Sequence, residues 1–191
     1  SHDSMFIKDE YASASYLREA ILSSGRDISM LTVPVWSDAI AQAKKNGEIG
    51  DINRLERVIL YMLRTVGSEY LSAINDVGQG LEHRIYEARK SSSLDELLFN
   101  IKTKRYTMAR IRRILLSALI GIKKSDLKIL PPYGRILAFN ERGKDILSKA
   151  KGSTAIPFDT SIARLSQKSE EAKRYASLEV RASDIYGLSL E

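Results

Sequence analysis

The stretch Ile101–Ile122, IKTKRYTMARIRRILLSALIGI, limits the folds open to this chain more than any other. Met108, Ile111, Leu115, Ala118 or Leu119, and Ile122 recur at steps of three and four, the spacing that stacks side chains on one face of an α-helix. Such a face needs a second apolar surface to cover it. Thr107 stands where an N-cap belongs, with a hydroxyl able to accept one of the N–H groups that a first turn leaves unpaired. The charge is less ordinary. A helix start carries partial positive charge and favours Asp or Glu, yet Lys102, Lys104 and Arg105 precede this helix and Arg110, Arg112 and Arg113 fill its first two turns. Each exposed cation placed there costs about 0.3–1 kcal/mol. A bound phosphate would reverse the sign, because helix N-termini and arginine clusters both hold anions. Two readings follow: a phosphate-binding helix, or a solvated basic face whose long side chains cover apolar surface.

The chain around this helix reads as mainly α with one small β pair. Ser13 or Ser15 can cap a helix through Leu17, Arg18, Ile21 and Leu22, with Gly25 as its stop. Two hydroxyls at a helix start with Arg18 three residues after Ser15 suit either a cap with a surface arginine or an anion site. Pro34 breaks the pattern. Val35–Lys45 then forms a weakly amphipathic segment ended by Asn46-Gly47, and Asp51 or Asn53 caps a core helix carrying Leu55, Val58, Ile59, Met62, Leu63 and Val66. Leu81, Ile85 and Ala88 make another apolar stripe; beside it His83 is either a ligand contact or a solvated, locally paired residue. Ser93 with Glu96 reads as a capping box opening a helix through Leu94, Leu97, Leu98 and Ile101. Pro131-Pro132 forbid helix, and YGRILAF after them is rich in β-formers. Helical spacing returns through Ile146 and Leu147. STAIPFDT is a second strand candidate confined to an edge or loop by Pro157, and two helices close the chain.

Composition narrows the function classes. A chain of 191 residues with net charge +6 leans towards polyanionic partners. It has no cysteine, hence no disulfide and no thiolate ligand or nucleophile, and its two histidines, His2 and His83, are too far apart in sequence to suggest a metal cluster. No apolar run approaches the roughly 20 residues of a membrane span, and no signal-peptide pattern opens the chain. The expected setting is the cytoplasm.

The run KTKRYTMARIRRILL, the preceding LEHRIYEA, the following PPYGRILAFNERG and the closing ASDIYGL together resemble the C-terminal half of the bacterial tRNA(Met) cytidine acetate ligases. ASASYLREAI looks like that family's form of the ISSTxxR phosphate motif of the HIGH superfamily. The resemblance implies activation of acetate by ATP, with Mg2+, to acetyl-adenylate, and transfer of the acetyl group to N4 of the wobble cytidine of elongator tRNA(Met). It places Ser13, Ser15 and Arg18 on the nucleotide's phosphates. It places Lys102, Lys104, Arg105, Arg110, Arg112 and Arg113 on tRNA, with Tyr106 either stacked on a base or buried beneath the hairpin. Acetate, ATP and elongator tRNA(Met) are the implied partners; DNA and membrane are not.

The HxGH motif of that family has no counterpart here, and His83 stands where its pattern has Asn between Glu82 and Arg84. The expectation is therefore a fragment without catalytic residues, inactive by itself: residues 1–32 as the C-terminal remnant of a Rossmann-like nucleotidyltransferase domain, and residues 33–191 as a helical tRNA-binding domain with the small β pair. The competing expectations are a non-catalytic RNA-binding helical module and part of another adenylyl- or cytidylyltransferase.

Overall fold

The computed structural model describes residues 12–23, 27–150 and 152–190. The chain divides into two compact units, Ser1–Leu55 with Tyr186–Glu191, and Glu56–Ile185.

In the first unit, α1 (Ala14–Leu22) begins at Ser13, whose Oγ accepts the Tyr16 N–H at 3.1 Å. It ends at Leu22 with Ser23 as C-cap, so the expected stop at Gly25 lies outside the described residues. Pro34 opens α2 (Pro34–Lys45), where its fixed φ fits and its missing N–H costs nothing. Lys44 then reaches back with its ammonium to the carbonyls of Ile21, at 3.0 Å, and Ser23, at 3.2 Å, satisfying acceptors that the end of α1 leaves open. Gly47, with φ 71°, turns the chain in the left-handed region. The Asp51 N–H donates to the Ser189 carbonyl at 3.0 Å, and Tyr186 Oη donates to the Glu48 carbonyl at 3.2 Å. Gly50 is what lets that tail approach: a Cβ there would stand 2.8 Å from the Tyr186 ring.

The second unit holds the main core. Helices α3 (Glu56–Thr65), α4 (Ser68–Ala73), α5 (Leu81–Ala88), α6 (Leu94–Ile101) and α7 (Met108–Ile120) bury Ile59, Leu63, Leu71, Leu81, Ile85, Leu97, Ile111 and Ile114 almost completely. Ile114 belongs to the α7 core face as fully as Ile111 and Leu115, widening the face read from the sequence. Asp51 and Asn53 do not cap α3 directly: a single 3-10 turn, Ile52–Leu55, intervenes, with the Asp51 carboxylate accepting the Asn53 N–H at 2.9 Å. The capping box at α6 is also displaced by one residue. Ser93 Oγ accepts the Glu96 N–H at 3.2 Å as expected, but the Glu96 carboxylate returns to the N–H and hydroxyl of Ser92, at 2.8 Å and 2.6 Å.

After α7 the chain turns at Gly121, φ 86°, and runs through the 3-10 turn Asp126–Lys128 to β1 (Gly134–Arg135). Helix α8 (Glu141–Ala150) separates β1 from β2 (Phe158–Asp159), and the two strands pair in parallel, Gly134 opposite Phe158. Parallel pairing requires such a crossover. The strands are shorter than YGRILAF suggested: pairing ends after the Ile136 N–H donates to the Asp159 carbonyl at 3.0 Å, and Leu137–Phe139 leave the ladder. Pro157 sits at its edge, contributing only its carbonyl, to the Gly134 N–H at 2.9 Å. Helices α9 (Ile162–Leu165) and α10 (Glu170–Gly187) follow. No helix among the described residues is long and apolar enough to cross a membrane.

Candidate nucleic-acid interface

The basic stretch folds into a turn and a helix start. Thr103 Oγ1 accepts the N–H groups of Arg105 and Tyr106 at 3.2 Å and 3.1 Å, closing a tight loop before Thr107, which caps α7 by accepting the Arg110 N–H at 3.4 Å. That loop decides where each cation goes.

Arg110 and Arg113, three apart and therefore on one face, converge on a single carboxylate, Asp76. Arg110 Nε lies 3.3 Å from Asp76 Oδ1, its Nη2 donates to the Asp76 carbonyl at 2.9 Å, and Arg113 Nη2 bonds Asp76 Oδ2. Asp76 and nearby Gln79 are the only non-glycine residues with positive φ among those described, 65° and 60°. Aspartate tolerates this region better than most residues, but it still carries strain that the surroundings must hold. The holding contacts are visible: Arg110 grips the Asp76 carbonyl and Tyr106 Oη donates to the Gln79 carbonyl at 3.0 Å.

The structure decides between the two readings of Tyr106 and shows which cations at this helix start are paired. Tyr106 is only 6% exposed, with the Arg110 guanidinium 5.5 Å from its ring centroid, so its ring is core and is not presented for stacking on a base. Arg110 and Arg113 both pair with Asp76, Arg113 remaining 60% exposed, and one negative charge offsets two positive ones. The remaining four, Lys102, Lys104, Arg105 and Arg112, are exposed and have no carboxylate partner among the described residues. The charge at this helix start is reduced by Asp76 and still positive. Asp76 was not singled out from the sequence; the signal for it is the turn-forming run Asn75-Asp76-Val77-Gly78-Gln79-Gly80.

The opposite end of α7 is compensated in the ordinary sense. Arg174 donates to the Gly121 carbonyl at 2.7 Å and Arg181 to the Ile120 carbonyl at 3.1 Å, placing cations where helical carbonyls accumulate negative charge. Arg174 also clasps buried Asp126 at 3.0 Å and 2.8 Å, and this guanidinium, ahead of the Lys123 N–H bond, holds the Asp126 carboxyl below its usual range. His83 is exposed and lies 3.9 Å from Glu82, whose other carboxylate oxygen is buried without a hydrogen-bond partner.

The second predicted site lies on α1. Ser13 is the cap, Ser15 the second helical residue, and Arg18, three residues on, shares the face of Ser15. Arg18 lines an open groove of about 360 Å³ whose walls are Leu17, Ile21, Ile49 and Tyr186, with Glu48 at its rim. His2 lies outside the described residues. Among the described residues no group of three or more His, Cys, Asp or Glu is placed to hold a metal ion.

A cation-rich helix start and a serine-capped helix carrying an arginine suit ligands that bear phosphates. Comparison with known proteins supplies the family. The chain belongs to the HIGH Nucleotidyl Transferase family, which matches residues 1–191. Its relatives include proteins named tRNA(Met) cytidine acetate ligase: one from Thermoanaerobacter sp. (strain X514), 34% identical over 98% of this chain, and one from Bacillus subtilis (strain 168), 32% identical over 96%. The chain spans 47% and 45% of those two proteins, about half of their length. The fold matches that of Thermotoga maritima TmcAL in its apo form, with a TM-score of 0.85 over 100% of this chain and 49% of that one, at 21% identity. It also matches the same protein bound with alpha-thio ATP, with a TM-score of 0.79 over 94% of this chain and 48% of that one.

Proposed function

We propose that this chain is part of an ATP-dependent tRNA(Met) cytidine acetate ligase and that its share of the work is chiefly to hold the tRNA. The supporting observation is the set of four exposed cations with no carboxylate partner among the described residues, Lys102, Lys104, Arg105 and Arg112, at the start of α7 in a chain whose relatives carry that name. Contacts of this kind position an RNA through its phosphates without reading its bases. Arg110 and Arg113 act with them at one remove: pinned on Asp76, they fix the loop and leave residual positive charge beside the other cations.

Residues 1–32 represent the end of the nucleotidyltransferase domain and residues 33–191 the tRNA-binding portion. On α1, the hydroxyls of Ser13 and Ser15 and the guanidinium of Arg18 are a donor-rich set suited to phosphate oxygens, and Arg18 presents two parallel N–H groups. ATP supplies the activated phosphoryl bond: acetate attacks the α-phosphorus, acetyl-adenylate forms and pyrophosphate leaves. The cytidine N4 amine then takes the acetyl group, and AMP is released. This chain's part in that sequence is to bind charge and to position.

The test uses the complete polypeptide that carries this chain. Incubated with ATP, acetate and elongator tRNA(Met), it releases pyrophosphate and leaves an acetylated wobble cytidine detectable by nucleoside mass spectrometry, and Arg18→Ala lowers pyrophosphate release. Binding of tRNA with no acetylation would identify a non-catalytic RNA-binding module. Pyrophosphate release with other acids but not acetate would identify a different adenylyltransferase.

A further inference from the structure

Residues 137–149 form a surface that the proposed function leaves unused. Leu137 is 83% exposed, Phe139 56% and Ile146 66%, and no residue of α8 is buried. Three large exposed apolar side chains so close in sequence, on the side of the arm and helix away from half-buried Ile136 and Leu147, constitute the kind of patch that a partner covers. The geometry is defined. Asn140 caps α8, its Oδ1 accepting the Gly143 N–H at 2.9 Å. Phe139 lies immediately before this cap and against the first turn, where a Cβ on Gly143 would meet the Phe139 Cβ at 3.0 Å. Arg142, Ile146 and Lys149 follow at steps of four and three and share one face of the helix.

Charge selects the occupant. Arg142 and Lys149 have no carboxylate partner among the described residues, and Lys144 has only Glu141, 3.9 Å away and almost fully exposed, which contributes little in water. Residues 137–149 carry three Lys or Arg, Arg142, Lys144 and Lys149, against two Asp or Glu, Glu141 and Asp145, so the surface is net positive. A surface that is apolar, aromatic and net positive suits a polyanion with exposed flat faces. Single-stranded RNA has both, since its unpaired bases stack on aromatic rings while its phosphates meet cations. A duplex keeps its bases inside and could use the cations alone.

We infer that the surface from Leu137 to Lys149 binds single-stranded RNA, with Phe139 stacking on an unpaired base and Arg142 and Lys149 holding the flanking phosphates. The inference rests on reading the chain as an RNA-handling protein, yet it uses none of the residues assigned to the start of α7.

The probe is a fluorescent oligouridine containing one 2-aminopurine, compared with a blunt RNA duplex of equal charge and with elongator tRNA(Met). The wild-type chain binds the oligouridine and quenches its 2-aminopurine. Phe139→Leu weakens this binding at least about fivefold and removes the quench while leaving duplex binding alone. Phe139→Trp restores both, and R142E/K149E weakens the oligouridine and the duplex together. The thermal melts of all variants match wild type, because these side chains are exposed. If tRNA binds and Phe139→Leu holds the oligouridine as tightly as wild type, this surface is refuted and the ligase reading stands. If the oligouridine binds with these signatures but tRNA(Met) does not, the surface stands and the ligase reading falls. Failure to bind either RNA at low salt overturns both.

Discussion

At the scale of single residues the site turns on Asp76. Its carboxylate faces two guanidiniums and its backbone is held at φ 65° by one of them. Removing the charge separates two roles. If Asp76 only neutralises, Asp76→Asn raises the local positive charge and RNA binds more tightly. If it aims Arg110 and Arg113 and holds the loop, affinity falls severalfold although the site has become more positive; the fall is the expected outcome, read by fluorescence anisotropy. Tyr106→Phe tests the neighbouring contact: losing the bond to the Gln79 carbonyl costs about 1 kcal/mol in urea unfolding and leaves the α7 cations in place. Thr107 could be recognised as a cap because capping depends on neighbours three residues away. The burial of Tyr106 stood only as one of two alternatives, because its partner is 27 positions distant, in a loop whose conformation no periodicity announces.

At the scale of elements, α7 joins an N-terminus that tolerates cations to a C-terminus that needs them. The C-terminal end depends on Arg174, and through it on Asp126. Because the folded state lowers the Asp126 pKa from 3.8, the pair contributes stability that is complete above the unfolded carboxylate range and is lost as pH falls through the lower folded value. Asp126→Asn should therefore destabilise the chain by about 2–3 kcal/mol near neutral pH, and the gap from wild type should close towards pH 3 in thermal melts. A gap independent of pH would contradict the assignment. The β pair depends on a close approach. An added Cβ at Gly134 would collide with the Phe158 ring, so Gly134→Ala should cost about 1–3 kcal/mol by differential scanning calorimetry. Helices with continuous apolar faces could be read directly from the sequence, whereas the strands were read too long. Pairing over two residues is fixed by the crossover and by Phe158 meeting Gly134, contacts that β-propensity does not encode.

At the scale of the whole chain, the mainly helical build and the single β pair followed from period and from Pro131-Pro132, and the family from motifs spread along the sequence. The distribution of charge did not follow, since a run of cations does not say which of them a distant carboxylate will claim. Four of the six cations at the start of α7 are exposed with no carboxylate partner among the described residues, and the central claim is that phosphates are held there. The direct measurement is the salt dependence of binding to elongator tRNA(Met), for wild type and for K104E/R105E/R112E. Each phosphate contact adds about 0.7–0.9 to the magnitude of the slope of log K against log salt. The account predicts steep wild-type dependence and a triple variant that binds far more weakly, its slope shallower by about two to three. A triple variant with the wild-type slope and affinity would contradict it.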